Sequence, residues 1–563
     1  MPNFYRHIVF FISLYLSTGL SAQQPFRWNM KFSREDSLRG TLSAARSCYD
    51  VKFYDLSVKV DIPNKKISGS NAIFFEATRS FSLMQIDLFR NMELKSITFK
   101  GKNVGFTRDG DAVFVTIPKM QKGEMGSITI AYGGRPVEAP NAPWQGGFVW
   151  KKDKNGKPWV GVACEGLGAS CWWPNKDHLS DEPDSMSIKV AVPGDLYCIC
   201  NGNLRNRTKL ADGNTEFQWF VSYPINNYNV TLNIGDYVRL SDEYIAGDKS
   251  RLELEFYCLP YNLDKAKQQF KQVKPMLKAY EHYFGKYPFW KDGYCLVETS
   301  YLGMEHQGAI AYGNQYKKGY LGGRMPPGMD WDYIIIHESG HEYFGNSLSC
   351  TDHAEMWLHE SFTTYLESLY VEYTMSYADA IRYLEMQRED IENEQPIVGP
   401  LKVNFDKWSG SDQYYKGAWM LHTLRSVIND DALFFGILRQ FYDKHSCGFA
   451  TTADFVSLTS NLTGRDFGAF FRQYLYSPEI PVLEYFCKKS PTGGKTLLYY
   501  RWSKTIAGFN MPVRVGKQGN LVTITPTSQW QKTTLKNCLP EEFGIPLDLY
   551  LIEKEAVKKE PMR

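Results

Sequence analysis

Five residues constrain this chain more than any others: His337-Glu338-Ser339-Gly340-His341. The apolar run Tyr333-Ile334-Ile335-Ile336 precedes them and is compatible with a buried helix. On a helix, positions four apart share a face, so His337 and His341 can address one ion while Glu338 projects beside it. This is the H-E-x-x-H arrangement, two imidazoles for a metal and a carboxylate as general base. A catalytic zinc takes three protein ligands and keeps a fourth position open. The candidate for the third is Glu360, 19 positions after His341, within Trp357-Leu358-His359-Glu360-Ser361-Phe362. That segment heads a second helical stretch, long enough to return alongside the first. Any fold of this chain must bring those two helices together. His353 and His359, both near Glu360, read as structural or surface residues rather than further ligands.

The N-terminus reads as an export signal. Arg6 and His7 precede the apolar run Ile8-Val9-Phe10-Phe11-Ile12, and small residues end at Leu20-Ser21-Ala22. A basic start, a short apolar core and a small-residue cleavage site are the parts of a secretory signal. A short membrane anchor is the competing reading, but the run falls short of the ~20 apolar residues that span a bilayer. Residues 1–22 are therefore expected to be a signal peptide cleaved near Ala22. The mature chain would be exported, periplasmic or secreted, with no stable membrane anchor.

From about residue 49 to 240, short alternating runs are broken by Gly and Asn clusters: 51–60, 72–75, 112–117, 127–132, 186–192 and 228–234. Period-two alternation of this kind predicts strands, hence a β-rich N-terminal domain over 45–245, interrupted by a long loop around 163–183. The period then changes. Phe270, Val273, Leu277, Tyr280 and Phe284 recur at three and four, as on an amphipathic helix, and Pro275 implies a kink or a later start. A strand at 294–297 and helices at 356–373, 378–393, 415–428 and 432–442 predict a mainly helical domain over 246–478. Alternation returns at 482–485, 497–502, 513–515, 521–525 and 547–552. This predicts a small C-terminal β-sandwich over 479–563, ending in a charged tail from Glu553. The fold class is multidomain α+β.

Composition narrows the partners. The 563 residues suffice for three or four domains, and 64 basic against 62 acidic residues leave a net charge of +2. Nothing in that balance points to nucleic acid or to an anionic membrane surface. Eleven cysteines cannot all pair within one chain. Cys164/Cys171 and Cys198/Cys200 are close in sequence without forming a C-x-x-C motif, so thiols and disulfides both stay open.

The motifs together resemble the aminopeptidase N-type metallopeptidases, gluzincins that also include leukotriene hydrolase. That family has H-E-x-x-H, then after eighteen residues a Glu within W-L-N-E-G-F, a G-x-M-E-N motif upstream, and a Tyr shortly before K-G downstream. The matching residues here are Gly303-Met304-Glu305-His306, 337–341, 357–362 and Tyr414-Tyr415-Lys416-Gly417-Ala418. The likeness runs from roughly 49 to 476 and is weaker in the C-terminal strands. It implies a thermolysin-like catalytic domain and one zinc ion held by His337, His341 and Glu360. Glu338 would be general base and then general acid. Tyr414 would donate to the oxyanion, with Tyr415 a close decoy, and Glu305 would hold the free amino terminus of a peptide. A second acidic group is expected from the β domain, for which Glu165 in Ala163-Cys164-Glu165-Gly166 is the candidate. Glu367, two turns after Glu360 on the same face, resembles the family's acid that orients a ligand histidine.

Several positions depart from the family pattern. His306 and His359 stand where it has Asn, and Ser361 where it has Gly. None removes a ligand or the base. His306 adds an imidazole near the amine site, where it can alter affinity for the amino terminus or its pH dependence. The expectation is a zinc aminopeptidase acting on peptide substrates. The alternatives are an endopeptidase or another zinc hydrolase on the same site, such as an epoxide-opening relative, and a non-catalytic peptide-binding protein of this fold. Side-chain preference and oligomeric state are not set by anything in the sequence.

Overall fold

The computed structural model describes residues 26–561 apart from residue 492. The expected signal peptide, residues 1–22, lies outside the described residues. Among those described, no helix is long and apolar enough to cross a membrane, and all eleven cysteines are free thiols.

Alternation builds the N-terminal half. Tyr49–Asp61 buries nearly every second residue, the pattern of a strand with one face on a core. It lies inside an eight-stranded sheet, antiparallel to Lys66–Ala77 and parallel to Ser185–Pro193. A three-stranded sheet (Phe81–Asp87, Ala112–Met120, Phe106–Asp109) and a four-stranded one (Tyr197–Cys200, Leu232–Gly235, Pro158–Ala163, Gly147–Lys152) complete the unit. One apolar core serves all three sheets and takes in Trp172 and Trp173 from the long loop. In the four-stranded sheet, Pro158–Ala163 ends two residues before Glu165.

The next sheet has five strands in the order Val238–Ile245, Arg251–Cys258, Tyr294–Glu298, Ile310–Tyr312, Gly303–Met304. Gly303–Met304 is its edge and stops immediately before Glu305. Helices follow. Leu263–Gln269 and Val273–Phe284 are joined by the 3-10 turn Phe270–Gln272, and Pro275 falls in the first turn of the second helix. There its missing N–H has no helical acceptor to lose, so the chain restarts the helix rather than kinking it. Trp357–Thr374 is buried from Trp357 to Val371. A helix apolar or paired all round belongs at the centre of a domain. Tyr377–Arg388, Tyr415–Ile428 and Asp431–His445 surround it, near their expected spans.

The C-terminal strands form a four-stranded sheet (Gln531–Lys536, Lys495–Ser503, Val482–Lys489, Glu553–Ala556) and the hairpin Val513–Lys517/Asn520–Ile524. Their core, with Leu483, Trp502 and Val515, is continuous with that of the helical unit. Two expectations are corrected here. Residues 547–552 are not a strand, although Tyr550, Leu551 and Ile552 are buried. Side chains from the helices satisfy their backbone instead: Arg388 donates to Leu547 O and Ile552 O, Tyr474 to Leu551 O, and Leu551 N donates to Thr423. The residues expected as a charged tail supply the strand, Glu553–Ala556, pairing parallel with Val482–Lys489 through its backbone while its side chains face solvent.

Candidate active site

The H-E-x-x-H residues sit on the short helix Tyr333–Gly340, with His341 as its C-cap. Asp332 starts it, its carboxylate accepting from Ile334 N and Ile335 N, which satisfies donors the first turn leaves free. Ile334, Ile335 and Ile336 are buried, each contributing about 1.5–3 kcal/mol. An eight-residue helix could not persist on propensity alone; here it is held by its cap and its packing.

His337 Nδ1 lies 2.7 Å from Glu367 Oε1, and His341 Nδ1 lies 3.0 Å from Phe344 O. Both acceptors require the proton on Nδ1, which leaves two bare Nε2 lone pairs facing each other at 3.2 Å. Glu360 Oε2 lies 3.4 Å from each Nε2 and has no hydrogen-bond partner although buried. Three lone-pair donors pressed together repel unless a cation lies between them. Bonds of ~2.0–2.1 Å around a tetrahedral ion separate its ligands by about 3.3–3.4 Å. The donor set fits one such ion.

Glu367 is held in turn by Tyr383 at 2.6 Å and Gln387 at 2.9 Å, both on Glu367 Oε2. Thr363 Oγ1 stands 3.2 Å from His341 Nδ1, and the Tyr333 ring stacks on His337 at 5.1 Å. Nothing in the local sequence distinguished Thr363, Tyr383 or Gln387, since each acts across a helix–helix contact.

Glu338 projects into the same cleft over the edge strand. A Cβ at Gly303 would come within 2.4 Å of Glu338 Oε1, so a side chain there would displace that carboxylate. Burial pushes the Glu338 carboxyl up to about 8, against the pull of His337 and His341. Glu305 follows on, its carboxylate within 4.8 Å of donor atoms on Glu338 and His341. Glu165 lines the cleft too, and burial followed by repulsion from Glu305 raises it well above the usual carboxylate range. The cleft, of about 490 Å³, also includes Asp406 but no lysine or arginine.

Tyr414 immediately precedes the helix Tyr415–Ile428, and its ring lies 5.9 Å from that of His337. Burial, then the field of Glu360, Glu165, Glu305 and Glu338, holds its phenol protonated. Tyr415 also lines the cleft and is raised by burial and next by Glu367 and Asp390. Ser361 explains its own departure from the family pattern. Its hydroxyl donates to Gln413 O at 2.6 Å, one residue before Tyr414, and occupies the space a Cβ at Gly417 would need.

The other histidines sort out clearly. His359 Nε2 accepts from Cys350 N at 2.9 Å, placing its proton on Nδ1, 3.5 Å from the Tyr228 hydroxyl; Tyr228 then donates to Glu305 Oε1 at 3.0 Å. His359 is structural, as expected, and braces Glu305 through Tyr228, which sequence reasoning missed. His353 bonds the Glu165 backbone. His306 directly follows Glu305 in the chain. Its ring is fully buried, is not among the residues lining the cleft, and is pushed down to about 3 by burial.

Comparison with known proteins agrees with this architecture. A model of the Peptidase M1 N-terminal domain matches residues 51–228, and one of the Peptidase family M1 domain matches residues 268–474. Aminopeptidase N of Haemophilus influenzae is 23% identical over 427 residues, 71% of this chain and 47% of that protein. Aminopeptidase N of Escherichia coli is 25% identical over 324 residues, 53% and 36% respectively. The chain thus spans about half or less of the curated relatives it matches. Among solved structures, an M1 zinc metallopeptidase mutant from Deinococcus radiodurans, bound to a Tyr-Ser-Ala substrate, shares the fold with a TM-score of 0.64 at 20% identity. The match covers 78% of this chain and 97% of that one. With both of the family's domains in sequence and its fold in three dimensions, this chain belongs to the M1 peptidase family of aminopeptidase N-type enzymes.

Proposed function

We propose that the chain is an exported zinc aminopeptidase that removes residues from the amino termini of peptides. The observation that carries this reading is one cleft holding three converging metal donors, His337, His341 and Glu360, beside Glu305 and Glu165, with no lysine or arginine in its lining. A dication and a terminal ammonium are the charges such a cleft lacks. Two imidazoles and a carboxylate form a catalytic zinc set with one position open. When bound, the ion supplies Lewis acidity and a water of lowered pKa. Glu338 takes the proton of the attacking water and hands it to the departing amine. Its raised pKa falls in the field of a dication, leaving a carboxyl able to gain and lose a proton near neutrality. Tyr414, kept protonated, donates to the carbonyl oxygen as negative charge develops there. Glu305, with Glu165, receives the substrate's ammonium and so fixes which peptide bond reaches Glu338. Export rests on the residue pattern of 1–22.

A panel of aminoacyl anilides, free and N-acetylated, tests the reading. The expected result is hydrolysis of the free series alone, lost on chelation and restored by zinc. Equal cleavage of free and blocked substrates would exclude an aminopeptidase. Glu305→Ala is expected to lower kcat/KM for free-amine substrates by about 10²-fold, the scale of an unpaired buried charge. Glu367→Ala leaves His337 Nδ1–H without its carboxylate and is expected to weaken zinc binding about 10–100-fold. Competition with a chromogenic chelator measures this directly; an unchanged zinc affinity would assign Glu367 to packing alone.

A further inference from the structure

Residues 26–44 precede the first residue matched by either family domain, yet they touch both walls of the cleft. The helix Arg34–Gly40 is capped by Ser33 and Asp36 in reciprocal bonds. From its last turn, Arg39 Nη2 donates to the Leu167 carbonyl, two residues past Glu165, and lies 4.0 Å from Asp177. Asp177 accepts from Ser170 N at 3.0 Å, so guanidinium and carboxylate together pin the segment 167–170. Gly168 sits at φ +90, a conformation that favours glycine, and a Cβ there would lie 2.4 Å from Arg39 Nη2 and displace it. The arm is itself anchored. Arg46, fully buried and paired with Asp87 at 2.6 Å, donates to the Arg39 carbonyl.

Gly40 faces the opposite wall, where a Cβ would fall 2.2–2.5 Å from the backbone of 402–404. Thr41 donates to Lys402 O at 3.2 Å. Trp28 packs edge-on against Phe405 at 4.8 Å, and Phe405 against Trp408 at 4.8 Å. This wall runs on to Tyr414. The walls meet where a Cβ at Gly166 would lie 3.4 Å from Asp406. Glu165, next to Gly166, is in the repulsive field of Glu305, Glu360 and Glu338. Its loop has no strand or α-helix of its own over 164–184, so side-chain contacts such as those of Arg39 and Asp177 hold it in place.

We propose that the N-terminal arm is a positioning element for substrate binding, in which Arg39, through the Leu167 carbonyl, holds Glu165 where the terminal ammonium of the peptide arrives. This rests on the reading of Glu165 as an ammonium receiver. Arg39 touches no substrate; it acts through Glu165, so its loss should appear in KM more than in kcat.

The test uses the full chain with zinc bound and a leucine anilide as substrate. Arg39→Ala is expected to raise KM about fivefold or more with kcat within about twofold. Arg39→Lys, which retains a donor, is expected to recover part of the loss. In a Glu165→Ala background, Arg39→Ala is expected to add almost nothing, the non-additivity of two residues acting as one unit. If Arg39→Ala lowers only the unfolding midpoint and leaves KM unchanged while Glu165→Ala raises it, the arm is structural and the proposal falls alone. If Glu165→Ala leaves KM unchanged, the reading of Glu165 falls and takes the proposal with it.

Discussion

Glu338→Gln is expected to leave zinc bound and to remove nearly all turnover, about 10³–10⁴-fold in kcat, near the upper end of what one general acid–base residue contributes. The amide matches the carboxylate in shape, so it fits the space over Gly303, which a side chain there would fill. The three metal donors are not altered, because Glu338 is none of them. What disappears is the capacity to accept a proton. Stability is expected to hold or rise, since a buried carboxylate raised to about 8 beside Glu305 and Glu360 is replaced by a neutral group that repels neither. Elemental analysis should find the unmutated zinc content, and anilide assays should find turnover near background. Turnover at the unmutated level would remove Glu338 from the mechanism.

What was legible in the sequence followed from local periodicity and fixed spacing. The four-residue interval from His337 to His341 dictates a shared helical face, and the seven-residue interval from Glu360 to Glu367 dictates another. The structure joins the two faces through the 2.7 Å contact of His337 with Glu367. The span of Tyr415–Ile428 was readable because its apolar residues keep helical period to the end. Residues 547–552 misled for a physical reason. Burial makes a segment apolar whether its backbone bonds to a neighbouring strand or, as here, to Arg388, Thr423 and Tyr474. Period-two readings cannot tell these apart. Conversely, Glu553–Ala556 is exposed on every side chain, so the ladder it forms leaves no trace in polarity.

The site shows the same division. Donors at fixed spacings, and Glu367 with them, were accessible; the other braces between elements were not. Tyr228 reaches Glu305 across 77 positions, and Ser361 reaches the Gln413 carbonyl across 52. Neither residue type is unusual, and only the fold brings the partners together. The charge balance of the cleft is equally non-local. Glu165, Glu305, Glu338 and Glu360 come from four separate segments, and their mutual repulsion exists only once the chain is folded. Such a cluster is unfavourable until positive charge arrives, and the proposed dication and substrate ammonium are charges of that sign.

Tyr414→Phe is expected to lower kcat about 10²–10³-fold, the cost of removing one preorganised donor from a developing oxyanion, with KM changed little. The phenol is the only part removed; the ring keeps its packing 5.9 Å from His337, and Ser361 still holds the chain at Gln413. A donor that matters only as charge develops acts on the transition state and not on the bound substrate, so the loss falls on kcat. Tyr415→Phe provides the contrast. After burial, Glu367 and Asp390 rather than the acids around Tyr414 are the charges that raise its phenol, and its loss is expected to cost less than about threefold. Parallel measurement of kcat, KM and zinc content on the two variants decides between neighbours that the sequence alone leaves one residue apart. A larger kcat loss for Tyr415→Phe would reverse the assignment, and an unchanged kcat for both would place the oxyanion donor elsewhere in the cleft.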